Sequence, residues 1–187
     1  MSDELLLAKI NHGFDHLDAD GDGLLTERDH VLMGHSVARS LGHAEGSEAE
    51  AWIVRAYLTL WHDLHLAHLP AGTDAITREQ FVVSTGSLAD DLDAARASLG
   101  ALAEAFLSVA DTNNSGTVDA GEFFVFQRGH FAGLSRDDAD EAFRRLDQDG
   151  DGLLSAAEFT DAIVEYWTSR DPEAPGNWWT GRPPFPL

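Results

Sequence analysis

The sequence predicts an all-α protein, folded as two lobes of paired helix–loop–helix units in a compact arrangement. Three observations carry this reading. Apolar residues recur at helical spacing along most of the chain. A twelve-residue segment rich in Asp and Gly recurs three times in one register, and each copy lies between two of the apolar stretches.

Leu6, Ile10, Phe14 and Leu17 predict a helix ahead of the first acidic segment, and Val31, Leu32 and Val37 predict one after it. A further helix is expected through Trp52, Ile53, Ala56, Tyr57, Leu60 and Trp61, and another around Phe81, Val82 and Leu88. Leu99, Leu102, Phe106 and Val109 lead into the second acidic segment, and Phe123, Phe124 and Phe126 leave it. Phe143 and Leu146 enter the third, and Phe159, Ile163 and Tyr166 exit it. These apolar positions are expected to form the core. A seam near Gly86–Asp93 divides the chain into an N-terminal pair, 1–90, and a C-terminal pair, 91–168. Residues 169–187 carry five prolines and Trp178-Trp179, which excludes a regular helix. This segment is expected to pack on the lobes; the alternative is a plug over an apolar pocket that a partner peptide displaces.

Composition narrows the function. Acidic residues number 33 against 12 basic, a formal charge of −21, which argues against nucleic acid and anionic membranes and suits a cation binder. Three bound divalent ions would bring that charge to −15. At 43 % hydrophobic the chain can build a core. With no cysteine, disulfides and thiolate zinc sites are excluded, which is compatible with the cytoplasm. No apolar run approaches the roughly 20 residues of a membrane span, and residues 1–5 lack the features of a secretory signal. The preference for Arg, Ala, Asp and Gly suggests a bacterial genome.

The segment Asp147–Glu158 has the residues of a calcium loop at every position that matters. Asp147, Asp149 and Asp151 stand at positions 1, 3 and 5, Gly152 at the sharp turn of position 6, Leu153 offers a carbonyl at position 7, and Glu158 closes with two oxygens at position 12. Asp111–Glu122 offers Asp111, Asn113, Ser115, the Thr117 carbonyl, Asp119 through water, and Glu122, with Gly116 at the turn. The two loops start 36 residues apart, as in a paired unit. Val118 and Leu154 stand at position 8, where paired loops can join through a short antiparallel bridge. The first loop, Asp18–Asp29, offers Asp18, Asp20, Asp22, the Leu24 carbonyl and Asp29, with Gly23 at the turn and Thr26 at position 9. Asp29 is one methylene shorter than the usual Glu, so magnesium is expected to compete with calcium there.

The partner of the first loop is degenerate. Ile76-Thr77-Arg78-Glu79-Gln80-Phe81 mimics Leu154-Ser155-Ala156-Ala157-Glu158-Phe159, which puts Gln80 at position 12 and Leu69, Ala71 and Thr73 where carboxylates are needed. Three calcium sites are therefore expected, not four. His62, His65 and His68 invite a transition-metal reading, but without a completing carboxylate or thiolate they read as solvated imidazoles at a helix end. The other histidines show no constellation.

Three loops with a silent second unit, Asp at position 12 of the first and this chain length resemble calerythrin and the sarcoplasmic calcium-binding proteins of the EF-hand superfamily. The resemblance covers roughly residues 3–167. It implies a two-lobe all-α fold, three bound calcium ions, a cytoplasmic monomer and an intracellular buffering or signalling role, with ligand roles on Asp18, Asp20, Asp22, Asp29, Asp111, Asn113, Ser115, Glu122, Asp147, Asp149, Asp151 and Glu158. A calcium buffer, not an enzyme, is the preferred reading. The alternative is a sensor that exposes an apolar groove to a target; such grooves are Met-rich, and this chain has only Met1 and Met33. A photoprotein-like oxygenase is a remote alternative. No target protein can be named from the sequence.

Overall fold

The computed structural model describes residues 2–66, 69 and 72–187. The elements run α1 (Ser2–Leu17), β1 (Leu24–Thr26), α2 (Glu27–Ser40), α3 (Glu48–Leu60), β2 (Ala75–Thr77), α4 (Arg78–Ser87), α5 (Leu92–Ala110), β3 (Val118–Asp119), α6 (Ala120–His130), α7 (Arg136–Leu146), β4 (Leu153–Leu154) and α8 (Ala156–Thr168). A π-helical turn, Trp61–His65, extends α3, a 3-10 turn at Leu88–Asp90 joins α4 to α5, and another, Pro175–Trp178, lies in the C-terminal segment.

Each loop ends in a helix that the sequence caps for itself. Thr26, Thr77, Asp119 and Ser155 all form reciprocal capping boxes with the residue three positions on, which is Asp29, Gln80, Glu122 or Glu158. The residue at loop position 12 therefore starts the exiting helix. The strands are two-stranded antiparallel bridges between loops: Leu25 opposes Ile76, and Val118 opposes Leu154. All four side chains are buried, so each bridge ties a pair of loops to the core beneath it.

The apolar core does not divide at the 3-10 turn between α4 and α5. A smaller cluster joins Leu6, Ile10 and Phe14 of α1 to Leu25, Trp61, Ile76 and Phe81. The larger cluster takes Met33, Val37, Ile53, Tyr57 and Leu60 of α2 and α3 together with the interior of α5 to α8. Small residues permit this. At Gly129 of α6, an added Cβ would lie 2.7 Å from the Val37 Cα, and at Gly34 of α2 one would lie 2.9 Å from the Val54 Cα. The Ser36 and Ser40 hydroxyls donate to the carbonyls of Gly129 and Val125 at 2.7 and 2.6 Å. The helical spacing that marks Trp52, Leu32 and Phe124 as core is only partly realised. Trp52 and Leu32 are 44 % and 37 % exposed on outer helix faces, and Phe124 lies under the guanidinium groups of Arg128 and Arg136. Among the described residues no helix is long and apolar enough to cross a membrane.

The C-terminal segment folds back onto α8. Gly176 sits so close that a Cβ would meet the Ala162 carbonyl oxygen at 2.7 Å, and its amide donates to Glu165 Oε2 at 2.8 Å. Trp179 is buried edge-on against Phe159, ring centres 4.9 Å apart, while its carbonyl accepts from Gln127 Nε2 at 2.6 Å. Lys9, fully buried in α1, donates to Asn177 Oδ1 at 2.8 Å and to the carbonyls of Glu165 and Ser169 at 3.1 and 2.7 Å, so one ammonium joins both ends of the chain to α8.

Candidate metal centres

The three acidic loops fold in the same way because the same residue types recur at the same positions. At position 1 a carboxylate reaches across the turn to the position-6 amide. Asp18 Oδ2 accepts from Gly23 at 2.8 Å, Asp111 Oδ2 from Gly116 at 2.8 Å, and Asp147 Oδ2 from Gly152 at 2.9 Å. The three glycines take φ of 88°, 84° and 86°, a left-handed conformation that disfavours a Cβ. Side chains at position 5 then bend the chain toward position 7: Asp22 and Asp151 accept from the amides of Leu24 and Leu153 at 2.9 and 2.8 Å, and Ser115 Oγ accepts from Thr117 at 3.3 Å.

Position 12 closes each loop. Glu158 Oε1 accepts from the Gln148 amide, and its Oε2 accepts from the Ser155 amide and hydroxyl, all within 2.7–2.9 Å. Burial pushes this carboxyl up, but the Ser155 and loop-amide donors outweigh it and hold it below the usual Glu range, so it is ionised at neutral pH. Glu122 accepts from Thr112 at position 2 and Asp119 at position 9 in the same manner. Asp29 makes the equivalent contacts although it is shorter, accepting from Ala19 at 3.0 Å and from Thr26 at 2.8 Å. It is 1 % exposed against 9 % for Glu122, so the first loop is drawn inward to meet the shorter acid.

The structure brings the carboxylate oxygens of Asp18, Asp20 and Asp22 within 4.8 Å of one another, and does the same for Asp147, Asp149 and Glu158. Converging carboxylates repel unless a cation lies between them, and a hard oxygen-binding cation fits this donor set. Asp151 lies outside its cluster, although it holds the Leu153 amide as Asp22 holds that of Leu24. The middle loop gives no such cluster among the described residues, because its positions 3 and 5 are the neutral Asn113 and Ser115. Asp20 also pairs with Arg28 at 2.9 Å, a surface contact that a cation would have to displace.

In the second unit the frame survives without the ligands. Gln80 Oε1 accepts from the Thr77 amide at 2.9 Å, and the strand Ala75–Thr77 keeps its pairing. Ala71, at position 3 of that unit, and His68 lie outside the described residues.

Two groups of histidines stand out in the structure and not in the sequence. His65 is not a solvated imidazole. It packs against His30, Trp61 and Phe81 with ring centres 5.3–6.1 Å apart, while His62 stays exposed. His12 and His16 gather with Phe131, and His130 accepts at Nε2 from the Tyr57 hydroxyl at 2.5 Å. The Phe126 carbonyl, 3.3 Å from Nδ1, places the proton there. These residues are scattered from 12 to 130, and no local spacing announces their meeting.

Burial lowers the His130 pKa from 6.5 to about 4 and raises that of Tyr57. The unfolded chain binds a proton at His130 as pH falls through 6.5, and the folded chain resists until about 4. Stability from this group is therefore present above 6.5 and is lost across the window down to 4. Urea titrations between pH 7 and 4 should show a shallower loss for His130→Gln than for the parent; equal slopes would remove His130 from the account.

The EF-hand domain pair family matches residues 101–164. Calerythrin of Saccharopolyspora erythraea is 27 % identical over 165 residues, covering 87 % of this chain and 92 % of its own. The solved structure of a Streptomyces coelicolor calcium-binding protein, described as the basis for prokaryotic calcium-mediated regulation, is 28 % identical with a TM-score of 0.67 and covers 86 % of this chain and 96 % of its own. The coelenterazine-binding protein of Renilla muelleri, 21 % identical with a TM-score of 0.75, covers 96 % of this chain and 97 % of its own, and shares the fold.

Paired helix–loop–helix units, loops bridged at position 8 and carboxylates converging within them define an EF-hand calcium-binding protein. Over most of its length the chain is similar to calerythrin.

Proposed function

We propose that this protein binds three calcium ions and serves as a calcium buffer. The observation that carries the reading is the recurrence of one ligand frame in three loops, at Asp18, Asp20, Asp22, the Leu24 carbonyl and Asp29; at Asp111, Asn113, Ser115, the Thr117 carbonyl and Glu122; and at Asp147, Asp149, Asp151, the Leu153 carbonyl and Glu158. The second unit, with Gln80 at position 12, binds no ion and supports the first loop through the β1–β2 bridge. The chain works without catalysis, as a monomer in the cytoplasm, with one loop pair in 1–90, the other in 91–168 and a packed segment 169–187 over a shared core.

A buffer holds its shape as ions come and go. The C-terminal segment supports this, because Trp179, Asn177 and Gly176 fill the space along α8 where a target helix would need room. One observation favours the sensor reading instead: the Streptomyces coelicolor relative is described in terms of calcium-mediated regulation. The fluorescence of the anionic dye ANS, followed as calcium is added to the magnesium-loaded protein, separates the two. A buffer gives no rise or a fall. A strong rise would replace this reading with a sensor that opens an apolar groove.

Asp29 sets the character of the first site. Its Oδ1 already accepts from the amides of Ala19 and Asp20 at 3.0 and 3.3 Å and its Oδ2 from the amide and hydroxyl of Thr26 at 2.8 and 2.7 Å, which suits a small, six-coordinate ion. Asp29→Glu should raise calcium-over-magnesium selectivity about tenfold, roughly 1.4 kcal/mol, in competitive calorimetry. Unchanged selectivity would mean that position 12 does not govern the choice of ion.

A further inference from the structure

Between the two apolar clusters lies a cavity of about 580 Å³ that the calcium loops do not use. Its wall includes His16, Tyr57, Leu102, Phe106, His130 and Trp179, contributed by four helices and the C-terminal segment. Protein interiors hold few voids larger than a water molecule, so a space this large is not a packing flaw. Its volume lies within the range of roughly 300–1,000 Å³ found for small-molecule sites.

The chemistry of the wall is selective. Charged residues make up 24 % of the chain, yet among the described lining residues there is no Asp, Glu, Lys or Arg. A cation or anion entering would lose its hydration without a countercharge, so the space excludes ions, calcium included. Water is a poor filler as well, because much of the wall is Leu, Ile, Phe and Trp. Polar atoms are few and specific. The Tyr57 hydroxyl spends its proton on neutral His130 and keeps a free acceptor lone pair. Thr180, 8 % exposed, lies beside Tyr166 but completes no hydrogen bond of ordinary geometry. Its Oγ1 is the one buried side-chain polar atom without a partner among the described residues. Buried hydroxyls are normally paired, so an unpartnered one on a cavity wall indicates a missing acceptor or donor.

We propose that this cavity binds an uncharged, flat, predominantly aromatic small molecule, its rings against Phe106 and Trp179 and its polar groups on Thr180 Oγ1 and the Tyr57 hydroxyl. Binding here goes beyond calcium buffering and does not depend on it.

The test uses the full-length, calcium-loaded chain and prodan, an uncharged naphthalene dye with a single ketone. The expected result is saturable binding of one dye per chain with blue-shifted emission. Leu102→Trp, which fills the cavity, should weaken binding at least about tenfold while calcium stoichiometry is unchanged. Thr180→Val keeps the shape and removes only the hydroxyl. It should weaken binding several-fold and shift the emission further to the blue, as the ketone loses its donor. Absence of saturable binding to the parent chain would overturn the proposal, as would a folded Leu102→Trp that binds as the parent does. Should Leu102→Trp fail to fold, the nearly isosteric Thr180→Val decides, and parent-like affinity and emission in that variant would overturn it.

Discussion

Glu158→Gln should abolish the tightest calcium-binding step, lowering affinity at the last loop by at least about 100-fold, roughly 2.7 kcal/mol, while leaving the fold intact. Two features separate these effects. The last loop has four acidic ligands, Asp147, Asp149, Asp151 and Glu158, against at most three in the middle loop; the first loop also has four, but its Asp29 is one methylene short for closure with two oxygens, so the last loop should hold calcium most tightly. The Ser155 amide and hydroxyl both donate to Glu158 Oε2, and one Gln oxygen can accept them; the Gln148 amide, on Oε1, loses its acceptor to the Gln NH2. The second unit already carries this substitution. Gln80 at the same position accepts from the Thr77 amide, caps α4 and keeps its strand paired. The calcium-free variant should therefore melt near the parent temperature, the lost Gln148 contact being offset by the removal of one repelling charge near Asp147 and Asp149. Calorimetry of parent and variant reads both quantities. A tight step that survives in the variant would place the strongest site elsewhere. The Val118–Leu154 bridge joins this loop to the middle one, so a smaller, few-fold loss at the Asp111–Glu122 site should accompany it.

The metal loops could be read from the sequence because their chemistry is local. Asp147 to Glu158 is twelve residues, and spacing alone fixes which carboxylate meets which amide. The position-8 residues Leu25, Ile76, Val118 and Leu154 lie buried in their bridges for the same reason. Reading fails where partners are far apart in the chain. Tyr57 and His130 meet across 73 residues, and His16 and Phe131 across a still longer stretch of chain, so the cavity they line has no sequence signature. Periodicity also misjudged Trp52, since it marks a helix face but not whether another element covers that face. Lys9 is the plainest miss. It is the only lysine among 12 basic residues, and a lysine in an amphipathic helix is ordinarily expected in solvent.

That buried lysine should be the residue whose loss most destabilises the fold outside the metal loops. Its ammonium donates to the carbonyls of Glu165 and Ser169 at the C-terminus of α8, where the helix dipole favours a cation; the Glu165 carbonyl also accepts from the Ser169 amide at 2.9 Å. Its third bond reaches Asn177, which is fully buried and donates in turn to the carbonyls of Asp171 and Pro172 at 2.9 and 3.0 Å. Lys9→Met keeps the volume but takes the donor from the Ser169 carbonyl and Asn177 Oδ1, while the Glu165 carbonyl keeps the Ser169 amide. It should cost about 2–4 kcal/mol and lower the melting temperature on the order of 5–15 °C. Asn177→Ala should cost less, and the double variant should fall short of the sum by at least about 1 kcal/mol, because the two residues share one network. Strict additivity would show that the Lys9–Asn177 contact carries no energy. The charge nevertheless comes with strain of its own. Burial pulls the Lys9 pKa from 10.5 to about 8, partly opposed by Glu165. As pH rises from 8 toward 10.5 the folded chain gives up this proton before the unfolded chain does, so the penalty is full below 8 and is relieved across that window. Above about 10 the buried Tyr57 and Tyr166, whose pKa values burial raises, act with the opposite sign. Parent stability should therefore rise between pH 8 and 10 in a way that Lys9→Met does not reproduce. Parallel profiles would mean that the ammonium is fully compensated by its three acceptors.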